Sequence, residues 1–169
     1  MRSEARPSEG TFESEEALPD GRACGHLSMI EVLNRQRRRK INTKQWREFA
    51  EQALQAIGNK KTDASIVFVS DEAIKKLNRQ FREKNYATDV LSFPSEPETF
   101  EVEQQKDLGE VVISVQRAAS RARANGLTFS NEVKQLILHG LLHLSGYDHE
   151  TDKGEMNRLE LRLRKQLGI

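Results

Sequence analysis

The sequence predicts an α+β fold, a small α/β sandwich in which a mixed sheet of about four strands packs with about five helices. Two observations carry this. Short β-branched or alternating runs are interspersed with segments of helical periodicity, with no internal repeat. The length, 169 residues, suits one domain with a real core but hardly two. The order of the strands does not follow from the sequence.

The elements follow in turn. "SMIEVLN" (28–34) alternates apolar and polar residues and reads as an edge strand. From Thr43, an N-cap candidate, Trp46, Phe49, Ala50, Ala53 and Ile57 recur at helical spacing until Gly58. "ASIVFVS" (64–70) is a buried strand, after which Ser70 or Asp71 caps a helix through about Phe81. Ile74, Leu77 and Phe81 form that helix's predicted inner face. "TDVLSFP" (88–94) is a strand stopped by Pro94, since proline donates no ladder hydrogen bond. An acidic loop, "SEPETFEVEQQKD", leads to the strand "LGEVVISV" (108–115) and the helix "QRAASRARANG", ended by Gly126. Ser130 is expected to cap "NEVKQLILHGLLHLSG", and Thr151 a last helix carrying Met156, Leu159, Leu163 and Leu167.

Hydrophobic residues make up 36% and charged residues 31%, the mix of a protein with a well-solvated surface. No apolar run approaches the roughly 20 residues needed to cross a bilayer. The single cysteine, Cys24, forms no internal disulfide, so nothing points to an oxidising compartment and a cytoplasmic location is expected. Net charge is only +1, but unevenly spread: residues 1–28 hold six acids against three arginines. Residues 1–27, rich in Ser, Glu, Pro and Gly, are expected to be a disordered acidic extension, and 28–169 one domain. The extension lacks the apolar stretch of a secretory signal, and its acidity argues against an organellar transit peptide. His26, at its edge, is given no role.

Three of the four histidines stand in "LHGLLHLSGYDHE" (138–150). His139 and His143 are four apart on a helix, so their imidazoles project from one side a turn apart. Gly146 can take positive φ and end the helix, and the turn "YD" brings His149 back toward them. Three neutral nitrogens leave a tetrahedral ion one open position, which marks a catalytic site rather than a structural one. Zinc is the first choice for such ligation, with other transition metals also suited to imidazole. The alternative is a chance gathering of surface or core histidines, against which the helical spacing and the glycine turn both weigh. The spacing also matches the zinc-peptidase pattern H-E-x-x-H-x-x-G-x-x-H, except that Gly140 replaces the glutamate serving as general base. Met156, a candidate Met-turn, falls on the apolar stripe of the last helix. A metallopeptidase reading therefore has ligands without a base and stands second.

In order and spacing, "LNRQFREKNYATDVLSFP" (77–94), "LGEVVIS" (108–114) and "HGLLHLSGYDH" (139–149) resemble the YbeY family across about residues 28 to 167. The resemblance implies a metal-dependent, single-strand-specific endoribonuclease with its metal on His139, His143 and His149. It also implies action on the 3′ end of 16S small-subunit ribosomal RNA, in rRNA maturation and ribosome quality control, beside the small subunit or its proteins. The family's important arginine falls on Arg82, which near a metal would grip a phosphate bidentately and stabilise charge in an in-line attack. The plainer reading of Arg82 is a solvated helix-end cation.

Asp89 either orients a histidine or Arg82, or caps its own loop. Ser92 lines the pocket or is a buried structural hydroxyl, and Asp148 accepts a proton or bonds its own turn. Glu110 departs from the family's usual Asp and its role stays open. The run "RQRRRK" (35–40), with Arg117, Arg121 and Arg123, suits RNA phosphates or is a solvated loop. Aromatic residues are only 6%, too few for base stacking to supply most of the binding.

Overall fold

The structure, a computed structural model, describes residues 29–59, 62–95, 106–149 and 151–169. The amino-terminal extension, His26 and most of the acidic loop lie outside the described residues.

Among these residues the elements run β1 (Ile30–Asn34), α1 (Thr43–Ile57), β2 (Thr62–Val69), α2 (Asp71–Arg82), β3 (Val90–Pro94), β4 (Lys106–Ser114), α3 (Val115–Ala124), α4 (Phe129–Leu144) and α5 (Glu155–Leu167). The sheet order is β1-β2-β4-β3. β1 is the predicted edge strand, parallel to β2, which is parallel to β4; only β3 runs antiparallel, against β4. The sheet is thus mixed, as expected.

The two-residue period of the strands sorts side chains to opposite faces. Ile66 and Phe68 of β2 join Val111 and Ile113 of β4 in the main core, under α1, α4 and α5. Val67, Val69, Val112 and Leu91 point the other way, where Ile74 of α2 covers them. Burial on both faces explains why "IVFV" (66–69) is apolar without alternation.

α4 lies against β4 and β3 because position 140 carries no side chain. A Cβ on Gly140 would stand 2.4 Å and 2.8 Å from the two methyl carbons of Val111, which is fully buried. The glycine buries its helix face directly on the sheet, and the helix carries the two histidines there.

Helix starts differ from expectation. Asn42, rather than Thr43, accepts from the Gln45 amide, and Thr128, rather than Ser130, accepts from that of Asn131. Both true caps have extended backbone one or two residues before the expected one, a choice composition does not make where several oxygen side chains adjoin. α5 begins three residues beyond its expected start. Thr151 belongs to a turn instead, and the Asp152 carboxylate accepts from the amides of Gly154 and Met156. These bonds, that with Met156 foremost, hold the Asp152 carboxyl below its usual range. Phe81 is 58% exposed, not inward. It sits in the last turn of α2, where its ring meets the edge of Phe93 at 5.1 Å, while Ile74 and Asn78 take the buried positions.

Gly140→Ala tests the close approach. The added methyl meets a β-branched side chain in a packed sheet, costing about 1–3 kcal/mol, against about 1 kcal/mol gained in helix propensity. A net loss of up to about 2 kcal/mol is expected in urea unfolding, and Gly140→Ala/Val111→Ala should cost less than the sum of the two single changes. Full stability in the single variant would contradict the packing.

Candidate metal centre

His139 and His143 occupy successive turns near the end of α4. The helix stops at Leu144, and Gly146 at φ 92° takes a conformation that L side chains rarely adopt, turning the chain back. His149 follows. The three ring centroids lie 4.8, 5.1 and 5.5 Å apart, and each ring offers a nitrogen within 4.8 Å of the others.

His143 Nε2 stands 3.2 Å from His139 Nε2. Two nitrogens on a tetrahedral ion at roughly 2.0–2.1 Å are about 3.3 Å apart, so this pair already has the spacing. The tautomer agrees. His139 Nδ1 lies 3.1 Å from Glu160 Oε2, and donating its hydrogen there leaves Nε2 as a free lone pair toward His143. The residues fit a divalent ion.

No sequence motif singles out Glu160. It is a buried carboxylate on α5, one turn from Met156 and one from Leu163, and its second oxygen accepts from Arg164. A carboxylate amid the apolar stripe of Met156, Leu159 and Leu163 is the signal that could have found it. Burial raises the Glu160 pKa, but the hydrogen bond and charge of His139, then those of Arg164, outweigh it and leave the carboxyl below its usual range. His143 is lowered first by burial, then by the neighbouring charges of His139 and His149, with Asp148 and the Tyr147 backbone opposing. A lowered pKa favours the neutral imidazole that a metal needs as a donor.

A cavity of about 530 Å³ opens over the histidines and is lined also by Arg82, Thr88, Asp89, Ser92, Tyr147 and Asp148. Arg82, predicted from the sequence, therefore lies at the site, exposed and without an ion-pair partner among the described residues. Ser92 donates to the Gly140 carbonyl at 3.4 Å, a bond between β3 and α4. Asp89 orients neither a histidine nor Arg82. It accepts from the Val90 amide and the Thr88 hydroxyl and pairs with Arg121, which also meets the buried Glu132 at 3.2 Å. Glu110 is exposed and paired in register with Phe93, away from the cavity. The peptidase pattern fails sterically too, since a glutamate at 140 would have to displace Val111.

These features define a class: a small α+β protein with an open three-histidine pocket, one cationic side chain and no carboxylate at the peptidase position. The model of the YbeY family, described as endoribonuclease YbeY, matches residues 31–168. The chain belongs to the YbeY family. It is 46% identical over 72% of its length to the endoribonuclease YbeY of Nautilia profundicola, covering 86% of that protein. It is 36% identical over 83% of its length to that of Geobacter metallireducens, covering 94% of it. Among solved structures, the solution structure of TM1509 from Thermotoga maritima superposes with a TM-score of 0.57 at 28% identity, covering 82% of this chain and 89% of that one.

Glu160 is open to two measurements. Glu160→Gln is expected to weaken metal binding by roughly 10–100-fold, read by titration against a competing chelator. Because the folded pKa of Glu160 is depressed, its contribution to stability is complete above the usual glutamate range and lost as pH falls through the folded value. Urea midpoints of the wild type should thus fall toward those of Glu160→Gln below that range. Parallel pH profiles would remove Glu160 from the linkage.

Proposed function

We propose that the chain is a metal-dependent, single-strand-specific endoribonuclease that matures the 3′ end of 16S small-subunit ribosomal RNA and serves ribosome quality control. Its place of action on this reading is the cytoplasm, with the ribosomal small subunit or its proteins as partners. The observation that carries the reading is the convergence of His139, His143 and His149 beneath a cavity that Arg82 also lines, in a chain of the YbeY family.

The all-imidazole donor set favours Zn²⁺, held by His139, His143 and His149. Such an ion would supply Lewis-acid chemistry, drawing charge from a phosphoryl oxygen and acidifying water. Arg82 takes the complementary part, placing planar N–H donors on the non-bridging oxygens of the scissile phosphate. Glu160 holds the His139 ring in its donor tautomer, and Arg164 holds Glu160. The pocket contains no glutamate at the peptidase position, which a phosphodiester substrate needs less than a peptide does.

Protein reconstituted with Zn²⁺ is expected to cleave single-stranded RNA and to spare duplex. His143→Ala should abolish both stoichiometric zinc and cleavage, while Arg82→Ala should keep the metal and lower kcat/KM by roughly 10²–10³. Equal cleavage by wild type and both variants would expose a contaminating nuclease and sink the reading. Casein hydrolysis that a chelator stops would revive the peptidase alternative.

A further inference from the structure

The run "RQRRRK" is a built loop, not a frayed one. Gln36, only 8% exposed, sits at its centre as a template. Its side-chain amide donates to Asn34 Oδ1 and to the Arg39 carbonyl, each at 2.7 Å. Its Oε1 accepts from the Arg38 and Arg39 amides at 2.7 and 2.9 Å. At one end the Arg35 amide donates to Phe68 of β2, and at the other the Arg39 guanidinium stacks 4.1 Å over the Phe129 ring at the start of α4. With the backbone fixed, Arg35, Arg37 and Arg38 project outward, and none has an ion-pair partner among the described residues.

These three guanidiniums line a cavity of about 380 Å³ with Ser70, Gln116 and Glu72. Glu72 is the single acid, outnumbered three to one. Helix α3 connects this cavity with the one over the histidines. Gln116 lies in the first turn of α3; Arg117 of the next position pairs with Asp71 at 3.7 Å, and Arg121 one turn on pairs with Asp89, which lines the histidine cavity. Five residues of helix, roughly 7–8 Å, separate Gln116 from Arg121. Arg117 and Arg121, between the cavities, are already paired with acids, whereas the three loop guanidiniums are not.

We propose that the Arg35–Arg37–Arg38 cavity is a second phosphate subsite, holding the backbone of the same RNA strand a few nucleotides from the bond that is cut. The inference rests on the endoribonuclease reading for its ligand. It adds a prediction that reading does not make: substrate length, rather than chemistry at the metal, determines whether these arginines matter. Loop guanidiniums of this kind grip phosphates without reading bases, so the subsite sets affinity and register and leaves sequence preference to the metal pocket.

The test uses the full chain loaded with zinc and a nested series of single-stranded oligoribonucleotides, from the shortest that is cleaved upward. For Arg35→Ala/Arg37→Ala/Arg38→Ala, the longest substrates should show a KM raised at least tenfold with kcat unchanged. The slope of log affinity against log salt should shrink by about 2, since each phosphate left without its arginine removes about 0.7. The shortest substrate should be cleaved as by wild type. Gln36→Ala, which keeps every charge, should raise the long-substrate KM by a smaller factor. Binding is measured in parallel by anisotropy in the His143→Ala background, so the result stands even if cleavage, and with it the endoribonuclease reading, fails. Unchanged long-RNA affinity and salt slope would overturn the subsite. So would equal loss on the shortest substrate, which means damage to the fold or the metal pocket. Polyglutamate of matched charge binding as tightly as RNA would assign the surface to an acidic protein, and inorganic phosphate displacing RNA at equal phosphate concentration would reduce it to a free-anion site; either overturns the proposal.

Discussion

The site depends on how closely one helix approaches one strand. With Gly140 against Val111, α4 lies on the sheet without a side chain between them. Because the histidines flank this contact on the same helix, its depth fixes where their rings stand relative to β3. The Gly140 carbonyl meets the Ser92 hydroxyl across that seam, and Thr88, Asp89 and Ser92 become the opposite wall of the cavity. The same absence of a side chain removes the carboxylate that a peptidase would need. Packing and chemistry are settled by one residue.

A chain of charge extends behind the histidines. Burying a carboxylate costs free energy unless it is paired, and Glu160 is paired twice, to His139 and Arg164. Its hydrogen bond to Nδ1 fixes the tautomer that leaves Nε2 directed at His143. On the far side of the cavity Arg121 bridges Asp89 and the buried Glu132, binding the start of β3 to α3 and α4. Both walls of the pocket are thus tied to helices by ionic hydrogen bonds that exclude the ligating atoms.

The sequence revealed what local spacing encodes. His139, His143 and His149 could be read as a set because helix pitch and a glycine turn relate them over eleven positions. Arg82 became a candidate only through the family resemblance, since an arginine ending a helix is ordinarily just solvated. The strand order, the Asp89–Arg121 pair and the Gly140–Val111 contact arise between distant segments, where no local pattern constrains them. Phe81 misled for a related reason: helical periodicity placed it on the inner stripe, but at the last turn of α2 it stays 58% exposed and meets Phe93 of the edge strand β3. Glu160 was the most legible of the residues overlooked, a charge in line with Met156 and Leu163.

The three histidines and Glu160 share one further property, which is their position in the chain. All lie in α4, the turn after it and α5, while the sheet's pairing is complete without them. An ion held there would therefore tie α5 to the end of α4 through His139 and Glu160. By mass action such an ion would add to the stability of the seam between the end of α4 and α5. Amide protons of α5 should consequently exchange at a rate set by metal occupancy, while those of β2 and β4 report only the stability of the whole. The carboxyl-terminal helix would then register whether the three histidines hold an ion.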